Sequence, residues 1–264
     1  MKNFSGFAAL LKKELIIYFA GPIFYITGFF FLLLTGYFFY VNTVYYGITS
    51  LAAAAAQATN PQVAAQLNPQ NMVYQPLFMV MAIVLMFLVP LLTMRLLAEE
   101  KRSGTAELLF TYPLADWSII LGKFAAAFLI YLIFLAFTAS YSLALGFMTR
   151  VDLGALAAGY LGVVLLGASF LALGLFASSL TENQIIAGVV GFALLLLFWV
   201  IGWAQELGTG GALGRVMQFL SLTEHYDNFI KGVINTRDLV YCASFIFFFL
   251  FLTKRQLESR RWRA

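Results

Sequence analysis

Six stretches of this chain run for about 20 residues with almost no charge away from their ends, and that pattern limits the possible folds more than any other feature. A helix needs about 20 mainly apolar residues to cross a bilayer, and in lipid it satisfies its own backbone hydrogen bonds. The stretches lie near residues 22–42, 76–98, 121–148, 154–180, 184–206 and 236–254. The apolar centre of the last, 239–253, is short. It reaches spanning length if Arg237 and Asp238 occupy its first turn and Lys254 and Arg255 snorkel at the other end. Of the 264 residues, 62% are hydrophobic and 11% charged. A soluble domain carries about 25% charged residues, so this excess of apolar side chains calls for a lipid solvent. The expected fold is an all-α integral membrane protein: an N-terminal interfacial helix, six transmembrane helices, a short crosswise helix between the second and third spans and an outer helical hairpin before the last span.

Composition also excludes several functions. The single Cys242 builds neither an internal disulfide nor a cysteine metal site. The net charge of +4 fits basic flanks on a membrane protein and not nucleic-acid binding. A secretory signal peptide is not expected, because the first apolar run is too long and lacks a small-x-small cleavage site.

Lys and Arg set the expected orientation. Lys2, Lys12, Lys13, Arg95, Lys101, Arg102, Lys123, Lys254, Arg255, Arg260, Arg261 and Arg263 fall on one side of a six-span layout. Only Arg150, Arg215, Lys231 and Arg237 fall on the other. The positive-inside tendency therefore predicts that both termini and the 95–124 segment are cytoplasmic. In residues 1–20, Phe4, Phe7, Leu11, Leu15 and Tyr18 recur at helical spacing, with Lys12, Lys13 and Glu14 largely on the other face. This describes either a helix lying in the interface or an extension of the first span, and Gly21-Pro22 favours the former.

The uncharged segment 42–75, rich in Ala, Gln and Asn, reads as an outer loop of short helical pieces over a flexible linker. Segment 207–235 is too apolar for a plain loop: Val216, Met217, Phe219, Leu220, Phe229 and Ile230 suggest a pair of short helices partly buried at the outer face.

Three kinds of chemistry can be weighed. Glu224, His225 and Asp227 could ligate a divalent ion, but no fourth ligand is evident, and hydrogen bonding or loop capping is the favoured reading. Ser169 in GASF with His225 as base could be an intramembrane serine protease. Bulky Phe170 stands where an oxyanion site would need a tight glycine, and small residues such as Gly167 more often serve helix packing. Ion-coupled transport needs ionisable groups near the midplane, and no stretch has one. Nor is there a GxxxxGK[ST] phosphate loop; Gly122-Lys123-Phe124 lacks the hydroxyl and the first glycine. The chain is expected to have no catalytic residues, metal or cofactor of its own.

The segment 99–120 remains. The second span is expected to run past the membrane to about Lys101, where Ser103-Gly104 breaks it. Residues 105–111 can form two helical turns with Glu107 near their positive end, Pro113 stops them, and Asp116 caps the third span. This short crosswise helix would offer Leu108, Leu109 and Phe110 as an apolar anchor, rimmed by Glu99, Glu100, Lys101 and Arg102. By physics alone it is equally an ordinary cytoplasmic loop.

The run EEKRSGTAELLFTYPLADWSIILGK resembles the signature of type-2 ABC exporter permeases: an acidic-basic cluster, Gly-Thr, Glu, Leu-Leu, Pro-Leu, then Gly-Lys at the next span. The tail, SLTEHYDNFIKGVINTRDLVYCASFIFFFLFLTKRQLESRRW, is similar to the gliding-motility-type branch, related to permeases of copper-enzyme maturation. The resemblance covers nearly the whole chain and implies the permease subunit of an ATP-driven exporter in a bacterial inner membrane. It implies two cytoplasmic ABC ATPase subunits that hold the ATP and Mg, and a second permease, identical or related. It assigns ATPase coupling to Glu99, Glu100, Lys101, Arg102, Gly104, Thr105, Glu107, Leu108, Leu109, Phe110 and Pro113. The competing function is a membrane anchor that recruits a cytoplasmic protein without transport. No cargo is identified.

Overall fold

The computed structural model of the protein describes residues 2–56, 68–105, 116–147, 149, 151–204 and 212–261. Those residues form helices and connecting turns, with no β-strand among them. In chain order they are α1 (Lys2–Ala20), α2 (Pro22–Ala56), a π-turn (Gln70–Tyr74), α3 (Gln75–Thr93), α4 (Arg95–Arg102) and α5 (Asp116–Gly146). There follow α6 (Leu153–Leu180), α7 (Gln184–Val200), a 3₁₀ turn (Ile201–Ala204), α8 (Ala212–Leu220), α9 (Leu222–Ile230) and α10 (Thr236–Arg261).

Among the described residues, five segments are long and apolar enough to cross a membrane: α2, the run from the π-turn through α4, α5, α6 and α10. The stretch expected at 184–206 is a 17-residue apolar helix, α7, prolonged by the 3₁₀ turn. At 1.5 Å per residue α7 alone is about 26 Å long, slightly under the roughly 30 Å hydrocarbon core.

Helix α6 is the hub and packs against α3, α4, α5, α7, α9 and α10. Its glycines make this possible. A Cβ on Gly159 would lie 2.0 Å from the Phe78 ring, on Gly162 2.3 Å from Phe229, on Gly167 2.3 Å from Tyr131, and on Gly174 2.3 Å from Thr93. Gly159 and Gly162 are therefore internal contacts. Without a hydrophobic drive between helices in lipid, such close approach is what supplies packing energy. Buried tyrosines add directional ties between helices: Tyr131 donates to Val163 O at 2.5 Å, Tyr226 to Phe78 O at 2.7 Å, and Tyr241 to Leu220 O at 2.7 Å. In contrast, α2 is the outermost span, with only 22% of its apolar window buried: Tyr25, Phe29, Phe30, Tyr37, Tyr40 and Tyr45 point outward, while Phe31 is buried against Phe134.

Two expectations are revised. The first span does not yield to a loop near residue 42: α2 continues as one helix to Ala56. Alanine is the strongest helix former, and the run 52–56 contains nothing else; residues 57–67 lie outside the described residues. In α1 the inward face is Leu10, Glu14 and Tyr18, spaced four apart, with Phe7, Leu11 and Leu15 half-buried beside them. Lys12 and Lys13 point outward as expected, but Glu14 does not. A buried basic partner on α5 outweighs the hydropathy pattern. A break at Gly21 separates α1 from α2.

Candidate functional site

The helix formed by α3 and α4 is interrupted by a turn at Met94. The interruption frees backbone groups in a buried place, and such groups cost about 1–3 kcal/mol when left unpaired. One side chain of α6 takes them up. The Ser178 hydroxyl donates to Met94 O at 3.0 Å and accepts from Leu97 N and Ala98 N, both at 3.1 Å. One turn later the Lys101 ammonium donates to Ser179 O, a carbonyl at the C-terminal end of α6. A cation is favoured there by the helix dipole. Helix α4 is thereby fastened to the hub at both of its ends. Ser178→Ala should lower thermal stability by about 1–3 kcal/mol per freed group. Ser179→Ala should do little, because the Ser179 hydroxyl bonds within its own helix and the Lys101 contact uses its backbone. Melting of the two variants in detergent checks this.

On its other side α4 enters a charge cluster. The Lys123 ammonium, near the start of α5 and 1% exposed, lies 2.8 Å from Glu14 Oε1 and 2.9 Å from Glu100 Oε1. Lys13 reaches the same Glu100 oxygen at 3.1 Å and Glu14 at 3.9 Å. Two ammoniums and two carboxylates thus balance, joining α1, α4 and the base of α5. Taking such charges out of water costs several kcal/mol per ion, offset only when each is paired. Position 122 lets α1 come this close: a Cβ on Gly122 would lie 2.9 Å from the Leu10 side chain. Tyr18 completes the junction by donating to Leu92 O at 2.8 Å, with the Arg95 guanidinium 4.8 Å above its ring.

The structure divides the expected coupling residues. Glu99 and Arg102 are exposed, whereas Glu100 and Lys101 turn inward to the contacts just given. The four therefore do not act alike as an outward rim. Ser103 closes α4, and Gly104 follows with φ +70°, the left-handed conformation that a glycine adopts without strain. Thr105 is exposed, its hydroxyl 2.8 Å from that of Ser103. Glu107, Leu108, Leu109, Phe110 and Pro113 lie outside the described residues. Asp116 stands in the first turn of α5.

At the opposite end of the bundle, α8 lies against the 3₁₀ turn, and α9, which follows after Ser221, packs on α6 and α10. His225 is buried there. Its Nδ1 lies 2.6 Å from Asp238 Oδ1, its Nε2 3.1 Å from Phe219 O, and its ring stacks 3.8 Å from that of Tyr241. Asn228 donates to the second Asp238 oxygen at 2.8 Å. Asp227 pairs instead with Lys231, whose ammonium this hydrogen bond and charge hold above its ordinary pKa. Glu224, His225 and Asp227 are thus not gathered as a ligand set. Ser169 donates to Leu165 O at 2.9 Å within its own helix, and the imidazole is engaged elsewhere, so the protease geometry is not formed. The sequence suggested His225 as a hydrogen-bonding residue; Asp238, its partner 13 residues on, carried no signal.

A bundle of apolar helices with a charged junction at one end and a buried histidine–aspartate pair at the other agrees with the comparisons. No curated protein matches the chain. A family model described as ABC-2 family transporter protein matches residues 8–253, from α1 through the apolar part of α10. On that match, the chain belongs to the ABC-2 transporter protein family, whose members are membrane components of ABC transporters.

Proposed function

We propose that this chain is the permease subunit of an ATP-driven exporter, with both termini cytoplasmic, six spans, and a 99–120 segment that couples it to a partner ATPase. The observation that carries the reading is the fastening of α4. Its start and end are tied to the hub helix α6 through Ser178 and Ser179, and its middle to α1 and α5 through Glu100. A push on residues beyond Gly104 would pass through a stiff helix into the centre of the bundle and the interfacial helix together. The functional unit would pair two permeases, identical or related, with two ATPase subunits that hold ATP and Mg. The tail's likeness to the gliding-motility-type branch supports a bacterial inner-membrane setting.

Two measurements test this. Reporter fusions at Ala264 and within residues 57–68 should report opposite sides of the membrane; equal signals would remove the six-span layout. The chain purified alone should hydrolyse no ATP, and activity should appear when the ATPase subunit co-purifies with it. Steady hydrolysis by a verified pure sample, or no ATPase partner on isolation from its native membrane, would overturn the assignment.

A further inference from the structure

Beside the charge cluster is a cavity of about 250 Å³ between α1, α4 and α5. Six ionic side chains line it: Lys13, Glu14, Arg95, Glu99, Glu100 and Lys123. Four of them close on one another as the balanced cluster described above. The other two, Arg95 and Glu99, form no ion pair among the described residues. They are one cation and one anion, four residues apart on the same helix, facing the same space. Arg95 Nη2 is buried and has no hydrogen-bond partner among the described residues. The Tyr18 ring holds its guanidinium from one side. The break at Gly21 leaves it room on another, since a Cβ there would lie 3.1 Å from Arg95 Nη1.

Their order along the chain is informative. Only Met94 separates Arg95 from the apolar span α3, whereas Glu99 lies one helical turn, about 6 Å along α4, farther from it. A phospholipid of the ethanolamine type has the same order: its phosphate sits at the glycerol, and its ammonium lies outside the phosphate. We propose that this cavity binds the headgroup of an ethanolamine phospholipid from the adjacent leaflet, with phosphate on Arg95 and ammonium on Glu99. Ile17 and Leu96 on the wall supply an apolar flank for the glycerol end. The phosphate provides the acceptor that Arg95 Nη2 lacks, and charge-assisted bonds of this kind are the strong ones. An anionic glycerol headgroup would satisfy Arg95 but leave Glu99 facing no cation. A choline headgroup offers Glu99 no N–H donor. The site is thus selective by charge order and not by net charge, which distinguishes it from a general basic patch.

The test uses the full-length chain in detergent, titrated with short-chain phosphatidylethanolamine, phosphatidylglycerol and phosphatidylcholine while thermal unfolding is followed. Free phosphoethanolamine and inorganic phosphate form separate arms. The ethanolamine lipid should bind about tenfold more tightly than the glycerol lipid, the gap expected from one additional charge-assisted contact. Glu99→Gln should remove that preference while leaving lipid binding, and Arg95→Gln should weaken all three lipids. Glu99 is exposed, so its variant should fold even if the Arg95 variant does not. Equal affinity for the ethanolamine and glycerol lipids, or a preference that survives Glu99→Gln, overturns the proposal. Free phosphoethanolamine binding as tightly as the lipid would also overturn it, since a soluble phosphate compound would then be the ligand.

Discussion

Lys123→Met should be the most destabilising single substitution at the α1–α4–α5 junction. Methionine matches the length of the lysine stem but leaves Glu14 and Glu100 facing each other with only half-exposed Lys13 for compensation. Removing one partner from a buried ionic group typically costs about 3–5 kcal/mol. For a chain of this size that corresponds to a fall in melting temperature on the order of 10 °C. The sign of a compensating change separates burial from mere proximity. The triple variant Lys123→Met, Glu14→Gln, Glu100→Gln should recover most of the loss, because neutral groups of the same shape need no counterion. Arg102→Ala, exposed beyond the junction, should change stability by less than about 0.5 kcal/mol. Melting curves of the four proteins at one detergent concentration decide it. If Lys123→Met melts with the parent, the cluster is solvated and does not bind α1 to α4.

Phe110→Ala and Leu109→Ala should leave melting unchanged but weaken ATPase binding by about 2 kcal/mol or more each, roughly thirtyfold in affinity. That expectation belongs to the proposed coupling role, in which these side chains fill a groove on the ATPase. Arg102→Ala is the control, since an exposed charge contributes about 0–1 kcal/mol. Lys101→Ala would be a poor control, because that ammonium holds α4 to the end of α6. Gly104→Pro should be the most damaging of all. Proline holds φ near −65°, and Gly104 has +70°, so the chain beyond it would be aimed elsewhere. A pull-down of the ATPase on matched amounts of solubilised permease, read beside the melting temperatures, checks the set. Full binding by Phe110→Ala, Leu109→Ala and Gly104→Pro would show that the segment is an ordinary connection between two helices.

What could be read from the amino-acid order was whatever depends on runs and local chemistry. Charge-free runs called for helices in lipid, Gly21-Pro22 favoured a break after α1, and Ser103-Gly104 marked the end of α4. Such features act over one or two turns, so neighbours in the chain suffice to decide them. The alanine run 52–56 acts equally locally, and its helix-forming strength outweighs the loop-like composition around it. The site depended on pairs far apart in sequence. Glu14 looked like part of an exposed charged face because nothing near it shows that Lys123, 109 residues away, is buried opposite. Nothing near Ser178 in the chain marks it; only the crossing of α6 and α4 shows that it closes the break at Met94. Asp238 became the partner of His225 only through the packing of α9 onto α10. A lipid-soluble sequence states which segments are apolar enough to enter the bilayer. The desolvation of a charge, and so its need for one particular partner, is a property of the assembled bundle, and only the tertiary structure decided it.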